Sequence, residues 1–166
     1  YINRLRKSYR EIPGMADYCI FWFRRSHDHL PECTPQQPTS GRAGLVGTQN
    51  IRNNQSRVGG LDYIARTGTI IEAVDNQPWS GEANVHVSIV NWVKTQDESL
   101  LPKSKRLWTQ ANKAATKKSQ RKLTADDGLP PYELVFRDVP FINSGLSDEA
   151  DVSTKTRLSC NLSPKR

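Results

Sequence analysis

Few residues capable of covalent or acid–base chemistry stand at a useful spacing in this chain. His27 and His29 are two apart, which puts them on different faces of a helix, and His86 stands alone. No serine sits in a nucleophile elbow, so histidine-based nucleophilic catalysis has no set of partners. Cys19, Cys33 and Cys160 are far apart and odd in number, and they match no CxxC or Cys/His zinc spacing. They predict no metal site and fit a reduced, intracellular protein. Gly41, Gly44 and Gly47 imitate a dinucleotide fingerprint. That fingerprint needs a strand before its glycines and a helix after them, and here the glycines run through the predicted strand itself. Leu129-Pro130-Pro131-Tyr132 has the outline of a tetrapeptide that polarises an amine through its first side chain. Leu129 offers no acceptor, so these prolines read as a linker. No catalytic group is assigned within the chain.

What remains is aromatic, amide and basic. Residues 103–122 carry Lys103, Lys105, Arg106, Lys113, Lys117, Lys118, Arg121 and Lys122 and no acid. The net charge of +7 arises there, because the remainder holds 16 bases against 17 acids. Such a stripe fits a polyanion such as nucleic acid, or else a solvated connection.

The elements that must position these groups are legible in outline. With 166 residues, 36% apolar, the chain fits one domain or part of a larger one, with a packed and a solvated portion. Residues 2–11 predict a short basic helix ended by Pro13-Gly14. Asp17 is placed to cap a helix over 17–30, with Tyr18, Phe21 and Trp22 on one face. Residues 31–40 are loop, Ala43 to Thr48 a short buried strand, and 50–60 a surface loop. Leu61 to Arg66 predicts a helix stopped by Gly68, and Thr69 to Val74 a strand. Val85 to Val93 is the clearest strand of all. The connection 75–84 is too short for a helical crossover, so the strands flanking it are expected to be antiparallel neighbours. Tyr132 to Phe136 predicts one more strand, and the last thirty residues read as extended or irregular. The longest apolar run, Cys19 to Phe23, is too short to span a bilayer. A start at Tyr1 that runs straight into a helix reads as a piece of a longer polypeptide.

One stretch is more specific than any of these. Residues 41–95, from GRAGLVGTQNIRNNQSRVGGLDYIARTG to VHVSIVNWVKT, resemble the C-terminal half of the methyltransferase domain of type II restriction–modification enzymes. ADYCIFWFRRSHDHLP resembles the helix after the catalytic tetrapeptide there. PFINSGLSDEADVSTKTRLSCN resembles the segment leading to the target-recognition domain. The resemblance covers about residues 1–100 and 132–162 and leaves the basic stripe unmatched. It implies an α/β, Rossmann-like class I fold in part, with the last core strand antiparallel. It also implies adenine-N6 methylation of double-stranded DNA from S-adenosyl-L-methionine, in the prokaryotic cytoplasm. The cofactor glycine loop and the Asn-Pro-Pro-aromatic tetrapeptide are not in this chain, so an upstream catalytic half and a downstream recognition domain are implied partners, and the piece alone is expected to be inactive. The division that follows is 1–100 catalytic half, 101–131 basic variable linker, and 132–166 approach to the recognition domain.

The resemblance also assigns residues. A base flipped out of the duplex needs an aromatic face to stack on, and Trp92 in VSIVNWVK falls at the family's place for it. Phe21, and more weakly Tyr18, match the aromatic that packs on the cofactor's adenine. Thr48, Gln49 and Asn50 close a strand whose C-terminal end is expected to face the ligand crevice, and Arg52 and Arg57 are placed to meet the base or the DNA phosphates. Trp79 reads as a structural residue of the turn before the last strand. The competing reading is a noncatalytic DNA-binding or spacer module that uses the stripe 103–122.

Overall fold

The computed structural model describes residues 1–79, 83, 85–111 and 133–150. Helices α1 (Ile2–Ser8), α2 (Ile20–His29), α3 (Asn54–Gly59) and α4 (Leu61–Ile64) accompany strands β1 (Arg42–Thr48), β2 (Thr69–Pro78), β3 (His86–Val93), β4 (Lys105–Ala111) and β5 (Glu133–Val139). The five strands form one mixed sheet in the order β1-β3-β2-β4-β5. β3 is antiparallel to both its neighbours, and toward β2 this is what the short 75–84 connection requires. β4 then returns parallel to β2, and β5 pairs antiparallel with β4. The chain is thus mixed α/β, with the strands between 69 and 93 where the sequence places them.

Alternation along the strands decides which side carries the core. Ala43 pairs with Trp92, and Trp92 with Ile70; Val90 pairs with Ala73, and Ala73 with Leu107. All of these except Ala43 are buried, and Ala43 packs against the same cluster. α2 and α4 add Ile20, Phe23, Leu61 and Ile64 from the other side of that cluster. Each such side chain stabilises the fold by about 1.5–3 kcal/mol relative to exposure.

Several local expectations are corrected. Asp17 does not cap α2: Cys19 is the N-cap, without a side-chain bond, and the Asp17 carboxylate accepts from the Thr48 hydroxyl instead. The buried stripe of α2 is Ile20, Phe23, Arg24 and His27, at i, i+3, i+4, i+7. Tyr18 and Trp22 do share a face, with rings 6.4 Å apart, but that face is half exposed. β1 is not a buried strand: among the described residues it lies at the sheet edge and pairs only with β3, and it leaves Val46 47% exposed. Residues 50–60 are not a loop. A 3-10 turn (Gln49–Arg52) and α3 occupy them and bury Ile51 and Gly59. A side chain on Gly60 would come within 2.9 Å of the Ile20 side chain, so its hydrogen is what lets α3–α4 close on α2.

The basic stripe is also redrawn. Its first part is β4 rather than a linker, so the sheet continues past residue 100. Lys105 is buried, its ammonium held 3.0 Å from Glu98. Lys113, Lys117, Lys118, Arg121 and Lys122 lie outside the described residues, as do Leu129 to Tyr132 and 151–166.

The core is locked by a polar contact. Trp92 Nε1 donates to His27 Nδ1 at 3.1 Å, and His27 Nε2 meets the Thr67 hydroxyl at 2.9 Å. The indole donor makes Nδ1 an acceptor, which leaves the neutral ring with its proton on Nε2. Burial, then the nearby Lys94 ammonium, push the His27 pKa down. A depressed histidine is neutral in the fold, while the unfolded chain takes up a proton near pH 6.5. Its stability contribution is therefore full above about pH 6.5 and falls as pH drops below it. Urea midpoints should fall between pH 7.5 and 5.5, and His27→Gln should remove part of that slope. Trp92→Ala should cost about 3–5 kcal/mol in the same titrations.

Candidate functional site

The direction of β3 decides which groups can meet. Thr48 at the end of β1 pairs with Val87 near the start of β3, whereas Trp92 pairs with Ala43 and Ile70 at the starts of β1 and β2. Five strand residues separate the two ends, roughly 16 Å. The Thr48 end gathers Gln49, Asn50, Arg52, the β2–β3 hairpin with Trp79, and His86. Pro78 pairs with His86, and the Trp79 N–H donates to the Val85 carbonyl at 2.8 Å. His86 Nδ1 lies 3.0 Å from Asn76 Oδ1, and the Gln110 amide donates to the Asn76 carbonyl at 3.3 Å, tying β4 to the hairpin.

Two sequence expectations fail on this geometry. Trp92 has no exposed surface, and its ring stacks on Phe23 at 5.9 Å. It sits at the far end of the sheet and is a core residue, not a platform for a base. The antiparallel insertion of β3 is the reason: its C-terminal end points away from the C-terminal ends of β1 and β2. Phe21 is also buried, in edge contact with Tyr9 at 6.0 Å and beside Tyr18 at 6.1 Å. At 5% exposure it offers no open face to a cofactor ring. Tyr18 is 44% exposed and keeps a free surface. One tyrosine is not a nucleoside pocket, so the residues present do not by themselves fit S-adenosyl-L-methionine.

The polar candidates divide as well. The Thr48 hydroxyl is committed to Asp17. Gln49 and Asn50 are exposed on the 3-10 turn, which Ile51 anchors in the core. Arg52 pairs with Asp75 at 3.7 Å across to β2. A cleft of about 640 Å³ opens beside this turn, between Met15 and Asp17 on one wall and Asn50 and 53–56 on the other. Arg57 points elsewhere: its Nε donates to Asp62 at 3.0 Å and to Ser144 at 3.1 Å. Ser144 donates in turn to Asp62. This triangle fastens the segment after β5, where Leu146 is buried at φ 57° with Asn143 Oδ1 accepting from the Gly145 and Ser147 amides.

Sequence reading missed Trp79 as a surface group. It is 46% exposed on the hairpin at the Thr48 end, not packed into the turn. The signal was available, because an antiparallel β2–β3 pair must place its hairpin at the C-terminal end of β2. Among the described residues no group of His, Cys, Asp and Glu could hold a metal ion. No helix among them is long and apolar enough to cross a membrane.

No family model matches this sequence, and no curated protein matches it. Among solved structures the chain is similar to the type IIL restriction-modification enzyme MmeI, determined in complex with DNA. The TM-score is 0.55 at 15% identity, over 90% of this chain. The chain spans about 18% of the length of that protein. At this identity the likeness concerns the fold: the mixed sheet and its helices resemble part of MmeI. Asp62→Ala removes the carboxylate that accepts from the Ser144 hydroxyl and pairs with Arg57. A cost of about 1–3 kcal/mol is expected, with faster amide hydrogen exchange at 143–147.

Proposed function

We propose that this chain is the back half of the catalytic domain of a site-specific DNA methyltransferase. In this reading the enzyme belongs to a restriction–modification system and transfers a methyl group from S-adenosyl-L-methionine to adenine N6 in double-stranded DNA. The single observation that carries this is the likeness of the fold to part of one restriction–modification enzyme. Residues 41–95 resemble that family in sequence as well. The unpaired outer edge of β1 supports an upstream partner: among the described residues no strand covers it, and an exposed edge is a template for pairing. The upstream half would supply that strand together with the cofactor glycines and the amine-polarising tetrapeptide. In this reading 132–166 leads to a recognition domain.

Within this reading the interface is the Thr48 end. Gln49, Asn50 and Arg52 face the DNA, and Trp79, rather than Trp92, gives the aromatic face for a flipped base. Stacking of that kind is worth about 1–3 kcal/mol per base. The intact enzyme should transfer labelled methyl groups to duplex DNA, with N6-methyladenine as the product by mass spectrometry. A methylated cytosine, or no transfer, would reject the assignment. Trp79→Ala should reduce the fluorescence rise of 2-aminopurine at the target position while duplex affinity changes less. An equal rise in mutant and parent would remove Trp79 from the role.

A second reading, a noncatalytic DNA-binding module, is favoured by one observation. β4 pairs with β2 over three residues but with β5 over seven, so a two-stranded ribbon leads from the sheet into the basic residues 113–122. It leaves at the Thr48 end, where the two readings share one DNA surface. Neutralising Lys113, Lys117 and Lys118 should flatten the plot of log affinity against log salt by about 0.9 for each phosphate that is no longer neutralised. An unchanged slope takes the ribbon out of the interface.

A further inference from the structure

We propose that the outer edge of β5 is a self-association surface, on which a second copy of this chain seats its own β5 antiparallel and joins two five-stranded sheets into one. This goes beyond the methyltransferase reading and does not depend on it. β5 closes the sheet on the side away from β1, and its seven residues all pair with β4. Among the described residues nothing pairs with its other side, where every second residue turns its N–H and C=O outward. Sheet edges are normally blunted by a bulge, a proline, a lysine or a very short strand. β5 has none of these. Its register with β4 runs without a shift, residues 133–139 hold no proline and no lysine, and the centre is the apolar run Leu134-Val135-Phe136. Exposure shows what kind of neighbour fits. Val135 is 43% exposed and Phe136 49%, and as successive residues they point to opposite faces of the sheet. A helix laid on either face would cover one and leave the other. A strand added at the edge sets a side chain beside both and satisfies the backbone between them.

Charge and pattern name the occupant. Residues 133–137 read Glu-Leu-Val-Phe-Arg: an acid, three apolar residues and a base. Pairing with an identical antiparallel strand about a two-fold axis at Val135 sets Val135 against Val135, Leu134 against Phe136, and Glu133 against Arg137 at both ends. Apolar residues meet apolar residues and opposite charges stand opposite, which are the favourable cross-strand pairs. An axis at Phe136 would instead set Leu134 against Asp138 and Val135 against Arg137, so the pattern specifies one register. The strand is already fixed for this contact. The Trp108 ring lies 4.9 Å from that of Phe136, and the Arg106 guanidinium stands 4.9 Å over the Phe136 ring. Arg137 donates to both carboxylate oxygens of Asp148, at 2.5 and 2.6 Å, and Val139 is buried. Two of the five guanidinium donors are spent on Asp148, which leaves three. Little order remains to be imposed on binding. The joined copies point their Thr48 ends in opposite directions, because β4 runs parallel to β2 and β5 antiparallel to β4, so the pairing leaves both ends open.

The test is sedimentation velocity of the 166-residue chain at rising concentration. A monomer–dimer equilibrium is expected, with Kd on the order of micromolar for so small an interface. Val135→Lys sets two ammonium groups across the axis, in the way natural edges are blunted. It should keep the parent's circular dichroism and lose the dimer. Glu133→Lys and Arg137→Glu should each weaken association by about tenfold, because each sets like charges opposite at both ends. Mixed in equal amounts, these two variants should associate as the parent does, since each then meets the opposite charge of the other. Loss of folding in either variant would not produce that recovery. A chain that stays monomeric at every concentration, a dimer that survives Val135→Lys, or a mixture that associates no better than its components overturns the proposal.

Discussion

Everything in this molecule is arranged around β3, which is antiparallel to both of the strands beside it. That pairing satisfies its backbone on both sides and buries its alternate residues against α2 and α4. It also reverses the sense of its ends. The start of β3 lies with the ends of β1 and β2, while the end of β3 lies among the starts of its neighbours and is free to be core. Trp92 occupies that second place, bonded to His27 and stacked on Phe23.

The buried indole–imidazole pair, continued to the hydroxyl of exposed Thr67, is a specificity device as much as a stabilising one. An apolar pair there would tolerate sliding of α2 along the sheet. A donor, a ring with one acceptor and one donor, and a hydroxyl have one mutual arrangement, and any slip leaves a buried polar group unpaired. Lys94 strengthens the same joint by donating to the carbonyls of His27 and Leu30 at 3.1 and 2.9 Å, at the C-terminal end of α2. The Thr48 end is built differently. Its side chains are amides, an arginine and a half-exposed tryptophan on a 3-10 turn and a hairpin, carried by a rigid sheet. Binding groups on short connections over a packed scaffold are free to vary without loss of the fold.

Particular residues mark how far the sequence reaches. Period-two alternation in 85–93 and the length of 75–84 were enough to place β2 and β3 and to make them antiparallel. The same topology, carried one step further, places Trp79 at the Thr48 end and removes Trp92 from it; proximity in sequence to the strand's end is no guide when the strand runs backwards. Residues 50–60 misled because amides and glycines also mark loops, and only packing on Ile12 and Ile20 makes Gly59 and Gly60 part of a helical corner. Arg57 looked like a phosphate ligand because its partner Ser144 is 87 positions away.

By itself the sequence determined the local grammar: that strands run through 69–74 and 85–93, and where the positive charge lies. These follow from residue type and short-range spacing. The tertiary structure alone decided which residues face which. Burial of Trp92 and Phe21, the edge position of β1, the strand made from Lys105–Ala111 and the cleft beside the 3-10 turn each depend on contacts between segments far apart in the chain. Those contacts are set by the order of strands in the sheet, and no local pattern carries that order.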